Sequence, residues 1–242
     1  MKKTLFLFGC LLFALMGSDA VTVSSNPTPG FFEAQLKYPR VKKAYAEKKS
    51  LLDKLLASKK LNRQKLHLIL VAYKQEQELE VYAASGKNAK HALLKKYSIC
   101  ASSGKPGPKW KRGDGQVPEG QYKIDRFNPS SLYHLSLGLN FPNAADLKRI
   151  GDKDPGGDIF IHGDCVTIGC IPITDDKIKE LYLLCVWARE ASHSSTPVLI
   201  FPCRMHERNM TQLLASDKSS AHHVFWRNLQ KNYLLWEDKK QL

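Results

Sequence analysis

The chain has 242 residues, with 37 Lys and Arg against 23 Asp and Glu, a net charge of +14 and 43% hydrophobic residues. That is too much apolar material for a disordered chain, and the length suits one main domain with additions. Six cysteines are too few for a disulfide-built scaffold, while the basic excess calls for an anionic partner.

Residues 1–20 start with Lys2 and Lys3, run apolar from Leu5 to Met16, and end on Ser18 and Ala20 in a small-x-small exit. This pattern predicts a secretory signal peptide cleaved after Ala20. The apolar run falls short of the roughly 20 residues that span a bilayer, and no later segment is apolar enough to do so. Export to the periplasm or cell envelope moves nucleic acid down the list of partners. Cell-wall polymers and anionic membrane surfaces move up. Cleavage also removes Cys10 and leaves an odd number of cysteines, so at least one thiol stays unpaired within the chain.

Residues 21–30 are rich in Ser, Pro and Gly and read as a linker. Residues 31–60 form a basic amphipathic helix, with Val41, Tyr45, Leu52, Leu55 and Leu56 near helical spacing. Its apolar stripe is expected to pack on the domain, with the lysines solvated. Together these make a 21–60 linker-and-helix unit. The period then changes. Leu66–Val71 and Glu78–Tyr82 are strand-like, joined by a hairpin turn over Lys74–Gln77. Leu94–Ser102, Tyr122–Asp125, Leu132–Leu139, Asp158–His162 and Pro197–Phe201 are further strands. Residues 103–120, with Gly104, Pro106, Gly107, Pro108, Gly113, Gly115, Pro118 and Gly120, form a long loop, and 142–157 a second one. A helix starts at Thr174 as N-cap, with Asp175 and Asp176 favourable to its dipole. From about Glu207 the tail is helical, with Phe225, Leu229 and Trp236 as packing residues. The divisions are thus 61–205 for the main domain and 206–242 for a C-terminal helical extension.

The chemically informative segment runs from Ile161 to Cys170. His162 ends a strand, and Cys170 follows Gly169 in a tight turn. A thiol becomes a strong nucleophile as thiolate, and a nearby imidazole can take its proton. Gly169 permits an unusual backbone beside the nucleophile, and the N–H groups of Gly169 and Cys170 could hold an oxyanion. Two other readings use the same residues: a Cys165–Cys170 disulfide, or zinc held by His162, Cys165 and Cys170 with His134 as a fourth ligand. The spacing fits no common structural zinc pattern.

His162-Gly163, followed by Thr167, Gly169 and Cys170, resembles the signature of the L,D-transpeptidase (YkuD-type) catalytic domain, above all its YafK-like branch. Tyr73–Glu76, Ser102–Lys109, Gly113–Tyr122, Asn128–Ser136 and Phe141–Asn143 resemble that branch in the same order. The resemblance implies a mostly β catalytic domain, a β-sandwich with flanking α-helices. It also implies a cysteine enzyme acting on peptidoglycan stem peptides at the L-centre of meso-diaminopimelate, with no metal or organic cofactor. On that correspondence Cys170 is the nucleophile and His162 the base, with the Gly163 carbonyl orienting the imidazole. Gly169 and Cys170 supply oxyanion donors, and Thr167 takes the place of the family's usual Ser. Tyr133, His134 and Lys109 become candidate substrate contacts, with Lys109 and Glu119 also read as structural or solvated. Most members carry Arg two residues after the Cys, where this chain has Pro172. The YafK-like branch shares that lack and resembles hydrolases that release a wall-linked protein, so transfer and hydrolysis both stay open. A non-catalytic wall-binding protein with a degenerate site is the rival reading.

Overall fold

The computed structural model describes residues 30–242; the expected signal peptide and all but the last residue of the expected linker lie outside them. Among the described residues eight strands, numbered along the chain, lie in the order β3-β2-β1-β8-β4-β5-β6-β7. In chain order they are β1 (Leu66–Tyr73), β2 (Glu78–Ser85), β3 (Ala92–Ser98), β4 (Gly120–Asn128), β5 (Ser136–Leu139), β6 (Phe160–His162), β7 (Ile171–Pro172) and β8 (Pro197–Phe201). Strand β4 is the join. Its first half, Gly120–Lys123, pairs with β8, and Ile124–Asn128 pairs with β5, so one strand runs from one sheet into the next.

The helices are α1 (Phe31–Leu36), α2 (Pro39–Ser58), α3 (Ala144–Ile150), α4 (Asp175–Ser192), α5 (Glu207–Ser216) and α6 (Ser220–Lys239). Period-2 alternation in β1 and β8 explains why both faces of the first sheet are covered. Leu68, Leu70, Ala72, Val198 and Ile200 face one core, which α2 and α4 close. Ile69, Val71, Tyr73, Leu199 and Phe201 face the other, closed by α5 and α6 through Met210, Leu213, Trp226, Leu229 and Trp236. The first core also takes Leu137, Leu139, Ile161, Ile171 and Ile173 from the second sheet, so it lies between the two. The result is a β domain with helices on its flanks.

Most strands fall near where hydrophobic periodicity puts them, although the expected strand Leu94–Ser102 ends at Ser98 and β7 is an addition, and three further segments differ for physical reasons. The basic helix of 31–60 is two helices, α1 and α2, separated by a turn before Pro39 at the first position of α2. Its stripe packs inward: Val41, Leu52 and Leu56 are buried, with Tyr45 and Leu55 against them. The expected loop 142–157 contains α3, opened by a capping box in which Asn143 Oδ1 accepts from Asp146 N and Asp146 Oδ2 accepts from Asn143 N. The expected strand Leu132–Leu139 is sheet only from Ser136, because His134 has φ +67° and turns the chain before it. Among the described residues, no helix is long and apolar enough to cross a membrane.

Candidate active site

Strands β6 and β7 run parallel, with His162 beside Pro172. In that register Ile161 faces Ile171, so Cys170, in the turn just before β7, lies by Phe160 at the start of β6, two residues from His162, at one edge of the sheet. The turn between them closes on Thr167. Its hydroxyl oxygen accepts from Gly169 N at 3.1 Å and from Cys170 N at 2.8 Å, and the hydroxyl donates to the Cys170 carbonyl at 2.8 Å. Gly169 has φ +137°, and a Cβ there would lie 3.1 Å from the Gln116 carbonyl oxygen, so both conformation and space require glycine. The two N–H groups expected to hold an oxyanion therefore point at Thr167 in this state.

His162 is buried, and Nδ1 donates to the Gly163 carbonyl at 2.5 Å, leaving Nε2 as the basic nitrogen. Burial pulls its pKa below the usual imidazole value, so the ring is neutral. Tyr133 packs on it, with ring centroids 4.7 Å apart. Gly163 is tightly enclosed: its N–H donates to the carbonyls of Tyr133 and Leu135, and a Cβ would sit 2.8 Å from the Tyr133 oxygen.

Cys170 is half-buried and unpaired. Its sulfur accepts from Phe160 N at 3.4 Å and donates to the Asp158 carbonyl at 3.6 Å. Among the described residues it has no hydrogen bond to the His162 ring. Burial pushes the thiol up, so in the resting state it is protonated. A cavity of about 30 Å³ opens beside it, lined by Lys74, Ser102, Ser103, Val117, Cys170 and Ile171.

Cys165 is bonded to Cys100, which removes the Cys165–Cys170 disulfide and takes Cys165 from any zinc site. Among the described residues no group of three or more His, Cys, Asp or Glu could hold a metal. Cys185 and Cys203 are buried in the two cores, leaving Cys170 as the accessible thiol among the free ones described.

The other candidates divide. Tyr133 is beside His162 and partly exposed. His134 lies behind it: Nδ1 is 3.9 Å from Asp175 Oδ2, Nε2 is buried without a partner, and burial lowers its pKa. Lys109 is buried, and its ammonium bonds Asp114 Oδ1 at 2.6 Å and the Lys111 carbonyl, so its side chain is held within the loop. Three residues were not read as site residues from the sequence. Asp175 Oδ1 accepts from Asp164 N at 2.8 Å and anchors the loop after Gly163, whereas Thr174 makes no side-chain cap. Arg40 on α2 donates to the Ser131 and His134 carbonyls. Lys74, on the first hairpin turn, reaches the cysteine cavity. An Asp following a predicted N-cap was a visible signal; Arg40 and Lys74 act across long sequence separations and left none.

Residues 67–200 match the family described as the L,D-transpeptidase catalytic domain (YkuD). The chain belongs to this L,D-transpeptidase family. It is 35% identical over 171 residues to YafK of Escherichia coli strain K12, covering 70% of this chain and 66% of YafK, just under two thirds of that relative's length. Among solved structures, Pgp2 of Campylobacter jejuni, titled a helical cell shape determining protein, is 22% identical with a TM-score of 0.46, over 61% of this chain and 52% of that one. Bd1075 of Bdellovibrio bacteriovorus is 23% identical with a TM-score of 0.40, over 71% of this chain and 57% of that one. Within the L,D-transpeptidase match lie the strands from His67 of β1 to Ile200 of β8, with His162, Thr167 and Cys170; helices α5 and α6 lie beyond it.

Proposed function

We propose that this protein is an envelope-located cysteine enzyme that remodels peptidoglycan stem peptides at the L-centre of meso-diaminopimelate. The observation that carries the reading is Cys170, the accessible thiol among the free ones described, next to the strand that ends in a neutral, oriented His162, inside the family match. Cys170 exchanges its resting contact with the Asp158 carbonyl for His162 Nε2, transfers its proton there, and its sulfur attacks the scissile carbonyl. The resulting imidazolium returns the proton to the leaving amine, and a thioester forms. Water then hydrolyses that thioester, or an incoming amine takes the acyl group. For Gly169 and Cys170 N–H to stabilise the oxyanion, they must exchange the Thr167 oxygen for the substrate's. In this reading Tyr133, partly exposed and packed on the His162 ring, contacts the substrate, and His134, near Asp175, belongs to its surroundings. Lys109 supports the loop rather than the substrate in the resting state.

Two observations favour a second reading, a non-catalytic wall-binding protein: the oxyanion donors are occupied, and Pro172 stands where most members have Arg. Purified protein incubated with defined muropeptides separates the two, with products identified by mass. Turnover that is lost in Cys170→Ala while the fold is retained supports the enzyme. Release of a linked group means hydrolysis, and new dimers mean transfer. Full activity in Cys170→Ala rejects the mechanism, and an inert wild type favours the wall-binding protein.

A further inference from the structure

The loop of residues 103–119 forms one part of the wall of the cysteine site. Ser103 and Val117 line the cavity beside Cys170, and the Gln116 carbonyl lies against Gly169. Its two arms are tied together by Lys74, whose ammonium donates to the carbonyls of Lys105, Gly107 and Val117 and pairs with Glu119 at 2.8 Å. Glu119 is fully buried. Its Oε1 also accepts from Gly107 N at 2.7 Å, and its Oε2 accepts from the Trp226 indole N–H at 2.8 Å. Trp226 is on α6, outside the matched catalytic region.

A second set of contacts joins the same helix to the same loop. The Trp110 indole donates to His222 Nε2 at 3.1 Å, and the two rings stack. Asp217 holds His222 from the other side at 2.8 Å. Gly107 packs so closely on the His222 ring that a Cβ would lie 3.3 Å away. Arg149, on α3, lies 5.6 Å from the Trp110 centroid and 4.9 Å from that of Phe225 on α6. A helix serving only to cover the sheet would need Leu229, Tyr233 and Trp236, which it has; it would not need to donate a hydrogen bond to the carboxylate that organises the loop.

We infer that α6 is a positioning element of the active site, in which Trp226 and His222 hold the 103–119 loop against Gly169 and the Cys170 cavity. Neither residue touches a reacting atom. Both act through Glu119, Trp110 and Gly107. This inference rests on Cys170 being the reactive group, as proposed above, but its test does not need the proposed substrate.

The substitution Trp226→Phe keeps an aromatic ring and removes the N–H, leaving a buried carboxylate oxygen without its partner. Misplacement of about 1 Å at a reacting centre costs on the order of 100-fold in rate. We therefore expect at least a roughly ten-fold loss of kcat on muropeptides with a smaller change in KM. The direct readout is iodoacetamide labelling mapped by mass. Burial is the main influence keeping the Cys170 thiol protonated, so a loosened wall speeds its alkylation several-fold. Cys185 and Cys203, buried in the cores, stay unlabelled; all three would label together in a merely unfolded protein. Leu213→Ala on α5 is the structural comparator, expected to lower Tm without changing Cys170 labelling. Should Trp226→Phe fail to fold, Trp110→Phe, which breaks the bond to His222 at a partly exposed position, carries the same expectations. A folded variant with unchanged Cys170 labelling overturns the inference. Faster labelling in a protein inert toward muropeptides would leave it standing and reject the proposed substrate instead.

Discussion

At the scale of single residues, Thr167 is the informative one. One hydroxyl makes three hydrogen bonds across the turn that carries Cys170. Thr167→Val keeps the shape and removes all three, leaving two backbone N–H groups and a carbonyl without protein partners. A buried donor left unsatisfied costs about 1–3 kcal/mol, so a stability loss of about that size is expected from this half-buried turn. Turnover should fall roughly ten-fold or more as the nucleophile loses its fixed position. Thr167→Ser restores the hydroxyl and should recover most of the activity. Paired measurements of Tm and kcat on the two variants check this; a Val variant as active as the Ser variant would assign Thr167 no role. His162 and Cys170 stand out as candidates in the sequence because they sit within nine residues, and Thr167 joins them through the resemblance to the family signature. The occupancy of the oxyanion donors was not legible there, since a three-residue interval does not say whether a hydroxyl points into its own turn.

At the scale of elements, the segment between β6 and β7 is held near its start from elsewhere in the chain. Asp175, at the start of α4, accepts from Asp164, and the Cys100–Cys165 bridge spans 65 residues to the segment after β3. That segment also donates Cys100 N to the Pro172 carbonyl and continues into the cavity wall at Ser102 and Ser103. The bridge thus ties the turn to the wall facing the nucleophile. Opening it by a Cys100→Ser, Cys165→Ser double substitution should cost about 2–4 kcal/mol by relaxing the unfolded chain. Denaturant titration with and without reductant measures this: reductant should lower the wild-type midpoint to that of the double variant and leave the latter unmoved. Strands and long helices were legible because burial on one or both faces imposes a period. The bridge was not, because connectivity among cysteines depends on which strands become neighbours. Helix α3 was legible in principle, since Asn143 and Asp146 spell a capping box, but the surrounding Pro and Gly read more strongly as loop.

At the scale of the whole molecule, the basic charge and the pattern of buried titratable groups act together. Burial depresses the imidazoles of His67, His91, His134 and His162 below their ordinary value. The unfolded chain therefore binds more protons than the folded one as pH falls from about 6.5, and stability drops with it. Glu80 and Asp114 extend the trend at lower pH. Burial raises them, but bonds from Lys96 and Tyr82 to Glu80, and from Lys109 and backbone N–H groups to Asp114, hold both below the usual carboxylate range. Their contribution is present above the ordinary carboxylate value and is lost as pH falls through the folded one. On the alkaline side burial pushes Cys185 and Cys203 up to about 12 and raises Tyr73 and Tyr182. These groups stay protonated in the fold while the unfolded chain sheds thiol protons from about pH 8.5, so stability falls again. Thermal unfolding across pH should show a plateau between about 6.5 and 8.5 with a decline on both sides. Replacing buried His91 by Phe should flatten the acid limb, because one imidazole no longer takes up a proton on unfolding. A Tm that rises between pH 6.5 and 5 in the wild type would contradict the assignment of neutral, buried imidazoles, including that of His162.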